Sequence, residues 1–135
     1  MQDPYIRRFR LLPTDRHPYG VVDGDTFYAH IDLGFRSYTE QIIRILGVNC
    51  PEMTGLTHDA GMAAADYTEN WFFQHKHIPT GMYIAWPFTL RSEKGDSFGR
   101  WLADIWCSEG HNLSQDLLDS GNALIFSPTK SSQKH

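Results

Sequence analysis

Short runs that alternate apolar and polar residues, one long helical stretch after the third of them, and a brief second helix near the C-terminus predict a strand-dominated α+β fold. Antiparallel strands interrupted by a helix at that point are the pattern of a small closed barrel of the OB type, here with five strands and two to three helices. At 135 residues the chain makes one domain, long enough to bury a real core. Its 41% hydrophobic and 13% aromatic content suit a packed protein rather than a disordered tail. Three stretches are expected along it: 1–20 as an N-terminal extension with an edge strand, 21–126 as the OB domain, and 127–135 as a flexible tail rich in Ser and Lys.

Charge and composition narrow the function. The formal charge is −4, whereas a protein that binds nucleic acid through bulk positive field is normally basic. Nucleic acid would have to be met through local cations or a bound metal. No apolar run approaches the roughly 20 residues of a membrane span, and Met1 to Arg8 contains no apolar segment of a signal peptide. Cys50 and Cys107 form no C-x-x-C pair, so a reduced protein is the simpler reading. These points lead us to expect a cytoplasmic protein without membrane contact, and a monomer.

Taken in order, Ile6 to Leu12 reads as an edge strand between prolines 4 and 13, with Arg7, Arg8 and Arg10 on a solvated face. Val21-Val22-Asp23-Gly24-Asp25-Thr26-Phe27 reads as a strand, a tight turn and a second strand, because Asp-Gly between apolar runs is a strong hairpin signal. After it Phe27, Ala29, Ile31 and Leu33 share one face, and Tyr28, His30 and Asp32 the other. Asp23 reads as a turn residue bonding its own backbone. Asp25 extends the apolar face, where a carboxylate needs a metal, a cation or several donors.

Gly34 to Ser37 is the next turn, and Glu40 to Val48 another strand. Arg44 there shares a face with Ile42, Leu46 and Val48 and predicts a carboxylate or bound anion, since arginine is almost never buried unpaired. Pro51 ends ladder pairing and holds Asn49 and Glu52 at a strand end. Thr57 to Gln74 is the long helix, capped by Thr57 or Asp59 and apolar at Ala60, Ala64, Tyr67 and Trp71. A strand from Met82 to Leu90 is interrupted by Pro87, and 91–97 reads as a polar turn. Phe98 to Trp106 begins the last clear strand, with Trp101, Ala103 and Ile105 facing one way and Arg100 standing at its start beside Gly99. Asn112 and Gln115 form a variant of the capping box before a short helix that Gly121 stops. Ala123 to Phe126 is expected to return into the core.

Three ordered signals carry a resemblance: Val22-Asp23-Gly24-Asp25-Thr26, then Ile43-Arg44-Ile45-Leu46-Gly47-Val48-Asn49-Cys50-Pro51-Glu52, then Phe98-Gly99-Arg100-Trp101-Leu102-Ala103. From about Val21 to Ala123 the chain resembles the staphylococcal-nuclease-like (thermonuclease) domains. The resemblance implies an OB barrel with helices and a calcium-dependent nuclease that hydrolyses phosphodiester bonds in DNA or RNA, leaving 3′-phosphate and 5′-hydroxyl ends. It also implies roles. Arg44, Glu52 and Arg100 would be catalytic, the arginines on phosphate and Glu52 on the attacking water. Asp25, Asn49 and the Cys50 backbone carbonyl would hold Ca2+, with Asp23 in support, and Phe98 would contact substrate.

That set is chemically coherent. Hydrolysis builds charge on phosphate oxygens, which fixed guanidinium groups stabilise; a divalent ion neutralises charge and orients water; a carboxylate accepts or aims the water's proton. Three departures from the family matter. Asn49 replaces an expected Asp and brings no charge to the metal. Ser97 and Phe98 replace Lys and Tyr, so Phe98 stacks without donating. Ser127 and Thr129 fall where relatives carry a tyrosine pair. The alternative reading is a non-catalytic OB module that binds nucleic acid or protein.

Overall fold

The computed structural model describes residues 5–76, 85–95 and 99–126. Eight strands and two α-helices follow one another as β1 (Ile6–Leu11), β2 (Val21–Asp23), β3 (Thr26–Gly34), β4 (Ser37–Ile45), β5 (Val48–Asn49), α1 (His58–His75), β6 (Phe88–Gly95), β7 (Trp101–Cys107), α2 (Leu113–Asp119) and β8 (Leu124–Ile125). A 3-10 turn, Gly55–Thr57, leads into α1.

The long strands close on themselves. The ladder runs β1-β6-β7-β4-β3, and β1 then pairs with β3, so five strands form a ring and β2 adds to β3. All ring pairs are antiparallel except β4 with β7, which is parallel. This is the expected strand-dominated α+β architecture of OB type. The parallel β4–β7 contact covers only Ile43–Ile45, so Ser37–Ile42 of β4 pair with β3 alone.

Several local expectations are corrected. β1 is not an edge strand: Phe9 pairs with Ile31 of β3 on one side and with Phe88 of β6 on the other. Residues 91–95 are not a turn but the second half of β6: Arg91 pairs with Ile6 of β1 and Asp104 of β7, and Ser92 and Gly95 pair with β7 across a register shift. Of the strand expected from Met82, residues 82–84 lie outside the described residues, as does the expected tail, and β6 begins only at Phe88, after Pro87. Leu124 and Ile125 do not return to the core. They are 76% and 81% exposed, because β8 pairs only with the two-residue β5.

Aromatic packing fills the ring. Phe9, Phe27, Phe72 and Phe88 interlock, with ring centroids 5.0 Å apart for Phe27–Phe72 and 4.9 Å for Phe72–Phe88. Each such pair contributes about 0.5–1.5 kcal/mol beyond its area burial. Phe72 comes from α1, so the helix plugs the ring rather than lying loosely on it. Its buried face is Gly61, Ala64, Ala65, Thr68, Trp71 and Phe72. Ala60, expected on that face, is exposed. The reason is a close approach: a Cβ on Gly61 would lie 2.5 Å from the Glu52 carbonyl oxygen, so the helix turns its one glycine toward that segment. Thr57 stands at the N-cap, but its hydroxyl donates to the Glu52 carbonyl (2.7 Å) instead of capping. Asn112 does cap α2, accepting from the Gln115 N–H at 2.9 Å. The reciprocal half of the box is missing, because the Gln115 side chain bonds Asp119.

Candidate nuclease site

The site grows from the β2–β3 turn. Gly24 sits under α1, its carbonyl accepting from the Thr68 hydroxyl at 2.6 Å. A Cβ there would meet Ala64 Cβ and Cys50 Sγ, both at 2.8 Å, so only glycine allows helix, turn and the Cys50 segment to converge. Asp25 follows, buried as its place on the apolar face predicted. It gains the donors a buried carboxylate needs. Oδ2 accepts from the Cys50 backbone N–H at 2.9 Å and lies 3.3 Å from Arg44 Nη1, while Oδ1 accepts from the Thr26 hydroxyl at 3.2 Å.

Arg44 is the cation at the end of β4. Gly47, at φ 84°, reverses the chain just beyond it, so the carbonyls of Ile45 and Val48 both turn toward the guanidinium. Nη1 donates to them at 3.0 and 2.8 Å, and Nη2 donates to Asn49 Oδ1 at 3.2 Å. A guanidinium has five N–H groups. Nε–H and the second Nη2–H of Arg44 have no acceptor among the described residues. The group is thus pinned on one side and open on the edge that grips a phosphate in two-point fashion.

The carboxylates press on one another. Asp23 Oδ1 accepts from the Asp25 N–H at 3.2 Å, the turn role expected of it. Burial, then the neighbouring Asp25 carboxylate, push the Asp23 carboxyl up to about 6. Burial and the same two acids push the Cys50 thiol up to about 12, so it stays protonated and its contribution to the site is backbone alone.

Glu52 is exposed, two residues past the Cys50 N–H that is tied to Asp25. Its backbone is fixed by Thr57 and Gly61, and its carboxylate makes no hydrogen bond or ion pair among the described residues. Arg100 precedes β7. The parallel register pairs Ile43 with Trp101 and Arg44 with Leu102. Continued back from β7, strand alternation puts Arg100 on the side of Leu102, the partner of Arg44, two residues before it. Phe98 lies outside the described residues.

A family model described as staphylococcal nuclease homologue matches residues 42–135. The chain belongs to that family. A comparison with curated proteins finds no significant match. Within this nuclease homologue the matched span begins inside β4 and includes Arg44, Asn49, Cys50, Glu52, Phe98 and Arg100; Asp23 and Asp25 precede it. The family is one of nuclease-type hydrolases acting on nucleic acid, on an OB-like fold.

The donor chemistry bears on a cation. Among the described residues no three His, Cys, Asp or Glu side chains converge as a metal cluster. Asp23 and Asp25 nevertheless place two carboxylates side by side, one held against its neighbour's charge, and a hard divalent ion relieves that repulsion with oxygen ligands. These residues fit such an ion as part of a shell that water completes. Asn49 is less well disposed than its spacing suggested, because its amide oxygen already accepts from Arg44.

Sequence reasoning missed two features of the site. Phe126 brings its ring centroid to 5.8 Å from the Arg44 guanidinium, through the β5–β8 pairing. Gly61 was the readable one: a glycine inside an otherwise strong helix costs about 1 kcal/mol and usually marks a close approach.

Proposed function

We propose that this nuclease homologue hydrolyses phosphodiester bonds in DNA or RNA with a divalent cation, Ca2+ by family resemblance, leaving 3′-phosphate and 5′-hydroxyl ends. The single observation that supports it most is the Arg44 guanidinium: buried, anchored on strand-end carbonyls, and left with two N–H groups to offer. An arginine that served only to neutralise Asp25 would not need that open edge.

Each residue then has a part. Arg44 at the end of β4 and Arg100 just before β7 hold non-bridging phosphate oxygens and stabilise the charge that builds as water adds to phosphorus. Glu52 stands exposed on a fixed backbone and accepts the water's proton or aims its lone pair. Asp25, with Asp23 and the Cys50 carbonyl, would hold the cation; when bound, the ion neutralises phosphate charge and orients water. The backbone bond from Cys50 to Asp25 keeps the cation ligands and the Glu52 segment in one frame.

The test is cleavage of labelled DNA and RNA oligonucleotides with calcium, with magnesium and with chelator. Cleavage that chelator abolishes and that Glu52→Gln slows by about 10²–10⁴-fold, with an unchanged unfolding midpoint, supports the reading. An oligonucleotide retained on a gel but never shortened assigns the chain to the non-catalytic module instead.

A further inference from the structure

The outer surface of the ring carries a second cluster away from Arg44. Phe9, Ala29 and Ile31 face inward, so Arg10, His30 and Tyr38 face outward on β1, β3 and β4. Arg10 Nε donates to His30 Nδ1 at 3.3 Å. Trp86, just before β6, lies against all three. Its ring centroid is 4.5 Å from the Arg10 guanidinium carbon, 5.5 Å from His30, and 5.6 Å from Tyr38, which it stacks on at 16°. Outward positions on an antiparallel sheet are normally polar and solvated. Here two of them hold the rings of His30 and Tyr38, with Trp86 laid against both, and Tyr38 keeps 50% of its surface open.

Charge indicates the occupant. Arg8 on the same face is neutralised by Asp32 at 2.6 Å. Arg10 pairs with no carboxylate among the described residues. A guanidinium flat on a tryptophan, with donors left over, is a phosphate contact held in place by stacking. Beside it an open aromatic face suits a nucleobase, because every base has a π-face to offer. Tyr38 and Arg44 are six residues apart on one face of β4, roughly 20 Å at about 3.3 Å per residue. That span is about six stacked nucleotides at 3.4 Å each. Exposed Glu40 lies between them on that face, so phosphate contact is confined to the two ends.

We propose that Tyr38, Trp86 and Arg10 form a second binding surface for single-stranded nucleic acid, with a base on Tyr38 and a phosphate on Arg10, continuous with the Arg44 site along β4. It rests on the nuclease reading for the polynucleotide as occupant. The surface holds the strand far from the scissile bond and sets a length preference that Arg44, Arg100 and Glu52 cannot set alone.

Fluorescence anisotropy with the full chain, a labelled 12-nucleotide oligothymidylate and chelator tests it. Tyr38→Ala is expected to weaken binding roughly fivefold to a hundredfold, the range for one lost stack. Arg10→Gln is expected to lower the slope of log Kd against log salt by about 0.7. The same oligonucleotide in a duplex is expected to bind at least tenfold more weakly. Absence of binding by the unsubstituted chain, variants within twofold of it at the same salt slope, or equal affinity for duplex would each overturn the proposal. Photocross-linking of an iodouridine oligonucleotide to the unsubstituted chain decides the case if Tyr38→Ala fails to fold. Adducts on the peptides bearing Tyr38 or Trp86 support the surface; adducts confined to other peptides refute it. Chelator separates the two readings. A chain that binds through Tyr38 but never cleaves in calcium loses the nuclease reading alone, and one that cleaves with no dependence on Tyr38 loses only this surface.

Discussion

Arg44 Nη1 stands 3.3 Å from Asp25 Oδ2, with side chains only 11% and 9% exposed. Two charges held this far from water stabilise each other only while both are present. Removing one leaves the other buried without a partner, at a cost of about 3–5 kcal/mol.

Arg44→Ala therefore lowers both cleavage and stability. Urea unfolding of this variant is expected to show a loss of about 3 kcal/mol or more. A midpoint equal to that of the unsubstituted chain would mean that the buried pair contributes nothing to the fold.

Metal-free protein carries a pH signature at Asp23. Its folded carboxyl, pushed up to about 6 from an ordinary value of 3.8, binds protons more tightly than the unfolded chain does. The stability it contributes is full below the unfolded value and is lost as pH rises through 6. Other carboxylates act in the opposite direction in acid, so the readable quantity is a difference between variants. Unfolding free energies in chelator should show Asp23→Asn gaining on the unsubstituted chain from pH 4 to pH 7. A constant difference across that window would show that the Asp23 carboxyl is not raised in the fold.

Asn49→Asp adds a charge at the strand exit. Calcium sites tune affinity by ligand charge, so calorimetric titration should give tighter calcium binding in the variant. The new carboxylate also faces Arg44 Nη2, which now donates to the Asn49 amide. Affinity that stays unchanged would show position 49 to be a partner of Arg44 and no part of the cation shell.

The β3–β4 hairpin turns through Phe35 and Arg36, both left-handed at φ 54° and 60°. Bulky residues adopt that backbone at a cost of roughly 1–2 kcal/mol each, whereas Asn-Gly suits it. Phe35→Asn with Arg36→Gly is expected to raise stability by about 1 kcal/mol or more. Thermal unfolding checks this, and a lowered midpoint would show that the fully exposed Phe35 ring stabilises the hairpin by some contact of its own.

Some of this was legible in the letters. Alternation located Phe27, Ala29 and Ile31 inward, and a lone acid on that face marked Asp25 as needing donors. A strand arginine demanded an anion, and Asp25 supplies it. Other readings failed where period alone could not decide. Residues 91–95 are polar enough to read as a turn, yet β7 recruits them into the ladder, with Arg91 also paired to β1. Ala60 lost its place on the buried face because Gly61 lets the helix touch the Glu52 backbone. The Phe126 ring reached Arg44 through a two-residue pairing too short to leave a pattern.

By itself the sequence determined which residue types meet: period-2 patterning, the Asp-Gly turn and the Pro-Glu exit dictate a strand-rich chain with acids and arginines at strand ends. Tertiary structure alone decided what those groups touch. Closure of the ring set β4 beside β7, just after Arg100, and folded Asn49 back onto Arg44. The physical reason is range. Local propensity and alternation act over a few residues, whereas the pairing of strands more than fifty residues apart is settled only when the whole core packs.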